Sequence, residues 1–207
     1  MTEENVERVI SQMPQQQKDV TARMKTLRLK SEQSVAYTLL CHAIRLYKDS
    51  ITSDSLWVRE VRIKELNDIE PLSNPPHFEY GEHGKPYLSN YDSIFFNISH
   101  CREAVVVGVS NRETGIDVEG RRTFSDTLLK RAFSEEERAK VNNALDPQLE
   151  FSRLWTRKEA WFKWTGTGIL LDHIHSTEAD ARMAGCTITT IGVITTAGRQ
   201  FFLSIAQ

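Results

Sequence analysis

Ser93-Ile-Phe-Phe-Asn-Ile-Ser99, Ala104-Val-Val-Val-Gly-Val-Ser110 and Gly115-Ile-Asp-Val-Glu119 decide the fold class. The first two runs are apolar, and the second is rich in β-branched residues, which fit a pleated surface. Four residues separate them, as in a hairpin. The third is a short strand of alternating character. Working outward, residues 3–30 read as weakly amphipathic helix interrupted by Pro14. A stronger helix follows, with Ser31 as candidate N-cap and Val35, Leu39, Leu40, Ala43, Leu46 and Tyr47 at helical spacing. Residues 67–92, which include Ser73-Asn-Pro-Pro76, read as a loop with short extended pieces.

Beyond the third strand the pattern turns helical. Residues 125–132 form one short helix. Ser134 caps another, with Glu135, Glu136 and Glu137 in its first turn, and Glu137 completes a capping box. A long helix covers residues 147–164. Two β-branched or aromatic runs, 186–195 and 199–206, close the chain as a hairpin across Thr196-Ala-Gly198. The order helix, strands, helices, strands predicts an α+β fold with antiparallel sheets, divided into an N-terminal half over 1–110 with a helical extension and a C-terminal half over 111–207. No repeat in sequence links the halves.

Composition narrows the function classes. The chain has 207 residues, 40% hydrophobic and 26% charged, as in an ordinary globular protein. A net charge of −2 argues against a nucleic-acid partner. Cys41, Cys101 and Cys186 are odd in number and form no CxxC, so neither a disulfide framework nor a zinc site is expected. The acidic, polar start Met1-Thr-Glu-Glu-Asn5 is not a secretory signal, and no run approaches the roughly 20 apolar residues of a membrane span. A reduced, cytoplasmic protein without a membrane partner is the expectation.

Four segments carry candidate chemistry. Asp117 and Glu119 stand at i and i+2 on a strand and share a face. Two carboxylates there form either an exposed acidic edge or a seat for a hard divalent cation. Glu159 and Lys163, at i and i+4 on the long helix, are either a surface ion pair or a pair lining a cleft, and Trp155, Trp161, Phe162 and Trp164 around them favour the cleft. Gly84-Lys-Pro-Tyr87 is a turn whose Lys85 can meet a phosphate. Asn97-Ile-Ser-His100 ends a strand, where Ser99 and His100 are either turn residues or phosphate donors. Asp172-His-Ile-His175 reads as a loop rather than a metal pair. Arg121-Arg122 and Lys130-Arg131 are either solvated charge or a small basic patch able to steer an acidic partner.

In this order, Gly84-Lys-Pro-Tyr87, Phe96-Asn-Ile-Ser-His100, Gly115-Ile-Asp-Val-Glu119 and Trp155-Thr-Arg-Lys-Glu-Ala-Trp-Phe-Lys163 resemble the Sfp-type 4′-phosphopantetheinyl transferases of the holo-acyl-carrier-protein synthase superfamily. The Gly166-Thr-Gly168 turn matches as well. The resemblance implies two similar α+β halves in pseudo-twofold arrangement, acting as a monomer, with coenzyme A in the cleft between them. It implies transfer of 4′-phosphopantetheine from coenzyme A to a serine of an apo acyl or peptidyl carrier protein, with Mg²⁺ and release of 3′,5′-ADP. A non-catalytic module that binds coenzyme A or a carrier is the alternative. By the same resemblance Asp117, Glu119 and Glu159 hold Mg²⁺, and Lys163 contacts the pyrophosphate. Lys85, Pro86, Ser99 and His100 hold the adenosine end, and Glu159, Lys163 and Glu137 serve the chemistry. The first region departs from the family: Pro14-Gln-Gln-Gln-Lys18 stands for its basic segment and Tyr37 near its expected arginine.

Overall fold

Backbone amides at the chain's β-branched runs pair as the alternation requires. The computed structural model describes residues 3–49, 61, 66, 69–70, 72–102, 104–168, 177–195 and 198–207. In chain order the described elements are α1 (Glu3–Gln12), α2 (Gln15–Ala22), α3 (Leu27–Asp49), β1 (Phe78–Tyr80), β2 (Pro86–Leu88), β3 (Phe95–His100), β4 (Val105–Ser110), β5 (Gly115–Gly120), α4 (Asp126–Ala132), α5 (Glu135–Asn143), α6 (Pro147–Thr165), α7 (Thr177–Met183), β6 (Ile188–Ile194) and β7 (Gln200–Ala206). The fold is α+β, with every strand pairing antiparallel: β1 with β2, β3 with β4, and β7 between β5 and β6.

Helix α3 packs on the β3–β4 hairpin, and α6 packs on β5 and β7. The first contact buries Leu40, Ile44, Tyr37 and Cys41 against Phe78 and Phe96. The second splits the face of α6. Phe151, Leu154 and Trp155 join Leu129, Phe133 and Val141, while Ala160, Trp161 and Trp164 join Ala181 and Cys186. On the sheet itself Ile116, Leu203 and Ile205 form an apolar layer with Val106, Ile191 and Val193. Strand alternation then puts Asp117 and its cross-strand partner Ser204 on the opposite face, toward α6. There Thr156 of α6 and Thr190 of β6 both bond the Ser204 hydroxyl, at 2.8 and 2.9 Å.

Two features of the helices beyond β5 match their sequence signals atom for atom. Ser134 Oγ accepts from the Glu137 amide, and Glu137 Oε2 accepts from the Ser134 amide, completing the capping box. Helix α6 starts with Asp146 as N-cap and Pro147 in its first turn, and it stops at Gly166, whose φ of 72° suits glycine. Elsewhere the structure corrects the reading. Helix α3 begins at Leu27, four residues before Ser31, and the hydroxyl that accepts from its first turn is that of Thr26, from Leu29 N–H at 3.3 Å. Helix α7 carries no periodic apolar stripe long enough to read. Asp172-His-Ile-His175 and part of the Thr196-Ala-Gly198 turn lie outside the described residues. Among those described, no helix is long and apolar enough to cross a membrane.

Candidate active site

Gly115 explains how strand β5 reaches helix α6. A Cβ built there would stand 2.2 Å from the Ala160 carbonyl oxygen and 2.3 Å from the Trp164 amide, so only glycine lets the strand lie directly on the helix backbone. That approach brings Asp117, two residues along β5, beside Lys163, one turn beyond Glu159 on α6. Lys163 Nζ donates to Asp117 Oδ1 at 2.7 Å and to Ser99 Oγ at 2.9 Å. Ser99, at the end of β3, donates in turn to Asp117 Oδ1 at 2.7 Å and accepts from the Val118 amide at 3.3 Å. Its one proton and two lone pairs are all committed to joining β3, β5 and α6. Asn97 also joins β3 to β5, its Oδ1 accepting from the Ile116 amide at 3.0 Å.

The three carboxylates feel one another. Asp117 is 4% exposed, and its Oδ2 is buried without a hydrogen-bond partner. Burial pushes the Glu159 carboxyl above its ordinary value of 4.5, and the Asp117 charge adds to the push while Lys163 opposes it. Glu119 is raised as well, by burial first, against the pull of Arg122 and with a further push from Asp117. Burial and the neighbouring carboxylates together favour the protonated forms, while Arg122 and Lys163 oppose them. Hard oxygen donors, one of them orphaned in a buried position, fit a hard divalent ion. The acids are not drawn into a ready-made cage, however: among the described residues no three His, Cys, Asp or Glu side chains stand in metal-ligating arrangement. Lys163 is the cation that Asp117 holds.

The remaining predicted residues lie outside this cluster. Glu137 is 7% exposed and pairs with the buried Lys158 at 3.0 Å, while its carboxylate also serves the capping box. Lys85 caps the end of α6, donating to the Trp164 carbonyl at 3.1 Å and the Thr114 carbonyl at 3.3 Å, and it pairs with Glu113. A lysine at the last carbonyls of a helix suits the helix dipole. Pro86 pairs with Tyr80 in the β1–β2 ribbon, and exposed His100 ends β3. The aromatics around Glu159 and Lys163 pack on one another: Trp161 stacks on Trp164 at 5.2 Å, and Trp155 stacks on Phe151 at 5.8 Å. Tyr37 is buried in the α3 core with Cys41, not presented to a ligand.

Residues 113–194, which span β5 through α6 to β6, match the family described as the 4′-phosphopantetheinyl transferase superfamily. That stretch contains Asp117, Glu119, Glu159 and Lys163. Over this stretch the chain is similar to the 4′-phosphopantetheinyl transferases. Among individual proteins, a 4′-phosphopantetheinyl transferase of Bacillus subtilis is 33% identical over 102 residues, which are 47% of this chain and 46% of that protein. The transferase HetI of Nostoc sp. is 38% identical over 100 residues, 44% of this chain and 42% of the relative. The transferase AcpT of Escherichia coli O157:H7 is 38% identical over 100 residues, 46% and 51% of the two chains. The matched stretch thus spans about half the length of the curated transferases.

Proposed function

We propose that this protein transfers 4′-phosphopantetheine from coenzyme A to a serine of an apo acyl or peptidyl carrier protein. The observation that carries the reading is the Lys163–Asp117 contact between α6 and β5, with buried Glu119 and Glu159 close enough to feel the Asp117 charge, inside the segment that matches the superfamily. Asp117, Glu119 and Glu159 would hold Mg²⁺. Bound there, the ion supplies positive charge to the diphosphate of coenzyme A as negative charge builds on its oxygens. In the reaction the serine Oγ forms a bond to the β-phosphorus, the bond from that phosphorus to the bridging oxygen breaks, and 3′,5′-ADP leaves with the electron pair.

The chain's own groups have distinct roles in this reading. Lys163 carries a fixed ammonium that meets the charge developing on the diphosphate, with Ser99 and Asp117 orienting it. Glu159, beside Lys163 on α6, takes the serine proton, directly or through a water. Glu137, committed to Lys158 and the Ser134 amide, is left to hold α5 against α6. Lys85, Pro86 and His100 form the edge assigned to the adenosine end, with Lys85 exchanging Glu113 for a phosphate. Ser99 reaches that end only by giving up a bond it now makes. A monomeric, cytoplasmic protein belongs to the same proposal.

The test is direct: purified protein, Mg²⁺, coenzyme A and an apo carrier are mixed, and the carrier's intact mass is read. A gain of one phosphopantetheine on the serine is expected. An unmodified carrier across acyl and peptidyl types, with coenzyme A nevertheless bound, would favour the non-catalytic module.

A further inference from the structure

Arg122 sits two residues past β5, in a basic pair that reads from sequence as solvated or partner-steering charge. The two arginines part company in the fold. Arg121 lies outward and pairs with Asp146 near the start of α6. Arg122 turns inward: its guanidinium lies over the Trp155 ring at 5.1 Å and the Phe151 ring at 5.9 Å, and its Nη1 donates to Glu119 Oε1 at 2.8 Å. Its backbone amide is fixed too, donating to Ser152 Oγ at 3.1 Å, and that hydroxyl donates to the Gln148 carbonyl. Both ends of the residue are therefore anchored on α6, the helix that also carries Glu159 and Lys163.

We infer that Arg122 is a positioning residue, clamped on the Trp155–Phe151 stack so that it fixes the Glu119 carboxylate by one oxygen and leaves the other for a divalent cation shared with Asp117 and Glu159. The inference rests on the reading of these acids as a metal site. A planar guanidinium suits this role, because it stacks on aromatic faces while its N–H groups stay in plane for the carboxylate, as an ammonium cannot. The arrangement parallels Asp117, whose Oδ1 is held by Ser99 and Lys163 while Oδ2 has no partner. Both strand acids are thus held through one oxygen by a cation, and at Asp117 the other oxygen is buried without a partner. Outer groups that orient metal ligands typically change metal affinity or activity about tenfold to a hundredfold when removed.

The experiment is a Mn²⁺ titration of the full chain without coenzyme A, followed by electron paramagnetic resonance, on wild type, Arg122→Met, Arg122→Lys, Glu119→Gln and the double variant Arg122→Met with Glu119→Gln. Methionine keeps the apolar stem against Trp155 and removes the guanidinium. We expect Arg122→Met to weaken Mn²⁺ binding about tenfold or more, Arg122→Lys to restore part of it, and the double variant to bind no worse than Glu119→Gln alone. Circular dichroism and melting of each variant report folding separately. Losses from the two substitutions that multiply, or unchanged Mn²⁺ affinity in a folded Arg122→Met, would overturn the inference. Wild type that binds no Mn²⁺ and modifies no carrier would instead overturn the functional reading beneath it.

Discussion

Helix α6 brings a lysine to a buried carboxylate on each of two faces, and the two pairs differ in how completely they are satisfied. On one face Lys158, 2% exposed, meets Glu137 at 3.0 Å, packs over the Phe133 ring at 5.0 Å, and faces a carboxylate that also closes the capping box. Burial lowers the Lys158 ammonium's proton affinity and Glu137 pulls it back up, so one charge answers one charge. On the other face Lys163 meets Asp117 at 2.7 Å, but Glu119 and Glu159 crowd the same place and an Asp117 oxygen has no partner. A closed pair holds a fold together. An open one, short of positive charge, stores unfavourable electrostatics that a ligand can relieve, and such sites are where function is found.

Substitutions sharpen this contrast. The largest expected effect is on activity at the open pair: Asp117→Asn, nearly isosteric, should lower transfer by more than about a hundredfold, beyond what the loss of an outer contact costs, with the circular dichroism spectrum unchanged. A steady-state rate within about threefold of wild type would remove Asp117 from the site. At the closed pair the expected effect is on stability. Lys158→Met strands a buried Glu137 and should cost about 3–5 kcal/mol in urea unfolding. The double change Lys158→Met with Glu137→Leu should recover much of that. Failure to recover would show that Glu137 does more than answer Lys158.

The smallest effect has the opposite sign. Glu159 and Glu119 bind protons more tightly folded than unfolded, so unfolding releases protons, and stability falls as pH rises above the ordinary value of 4.5 through their raised values. Glu159→Gln, which removes one repelling charge, should raise the melting temperature at pH 7 in the absence of divalent ions and flatten that pH dependence. A melting temperature lowered by the substitution would mean that the Lys163 attraction outweighs the crowding.

Much of the fold was legible because it is local. Hairpin spacing gave β3–β4 and β6–β7, and the Ser134–Glu137 box and Pro147 gave the starts of α5 and α6, each signal lying within a few residues of the structure it specifies. The start of helix α3 was misplaced because Thr26 and Ser31 can both cap by residue type, and the helix begins at Leu27. The acids on β5 and α6 could be picked out, since i, i+2 and i, i+4 spacing places each set on one face. What spacing does not encode is which faces meet. Ser99 as a three-way bridge, Arg122 turned inward from a basic pair, and the tryptophans used as packing all depend on α6 crossing β5 at Gly115. That glycine at the head of a strand was the available signal of a close backbone approach.

The most direct test is a calorimetric titration of Mg²⁺ into the protein saturated with coenzyme A. One ion per chain is predicted for wild type and for Glu137→Gln, and none at comparable concentration for Asp117→Asn or Glu159→Gln. Undiminished Mg²⁺ binding in Asp117→Asn, or equal loss in Glu137→Gln, would contradict a divalent-ion site built from the acids of β5 and α6.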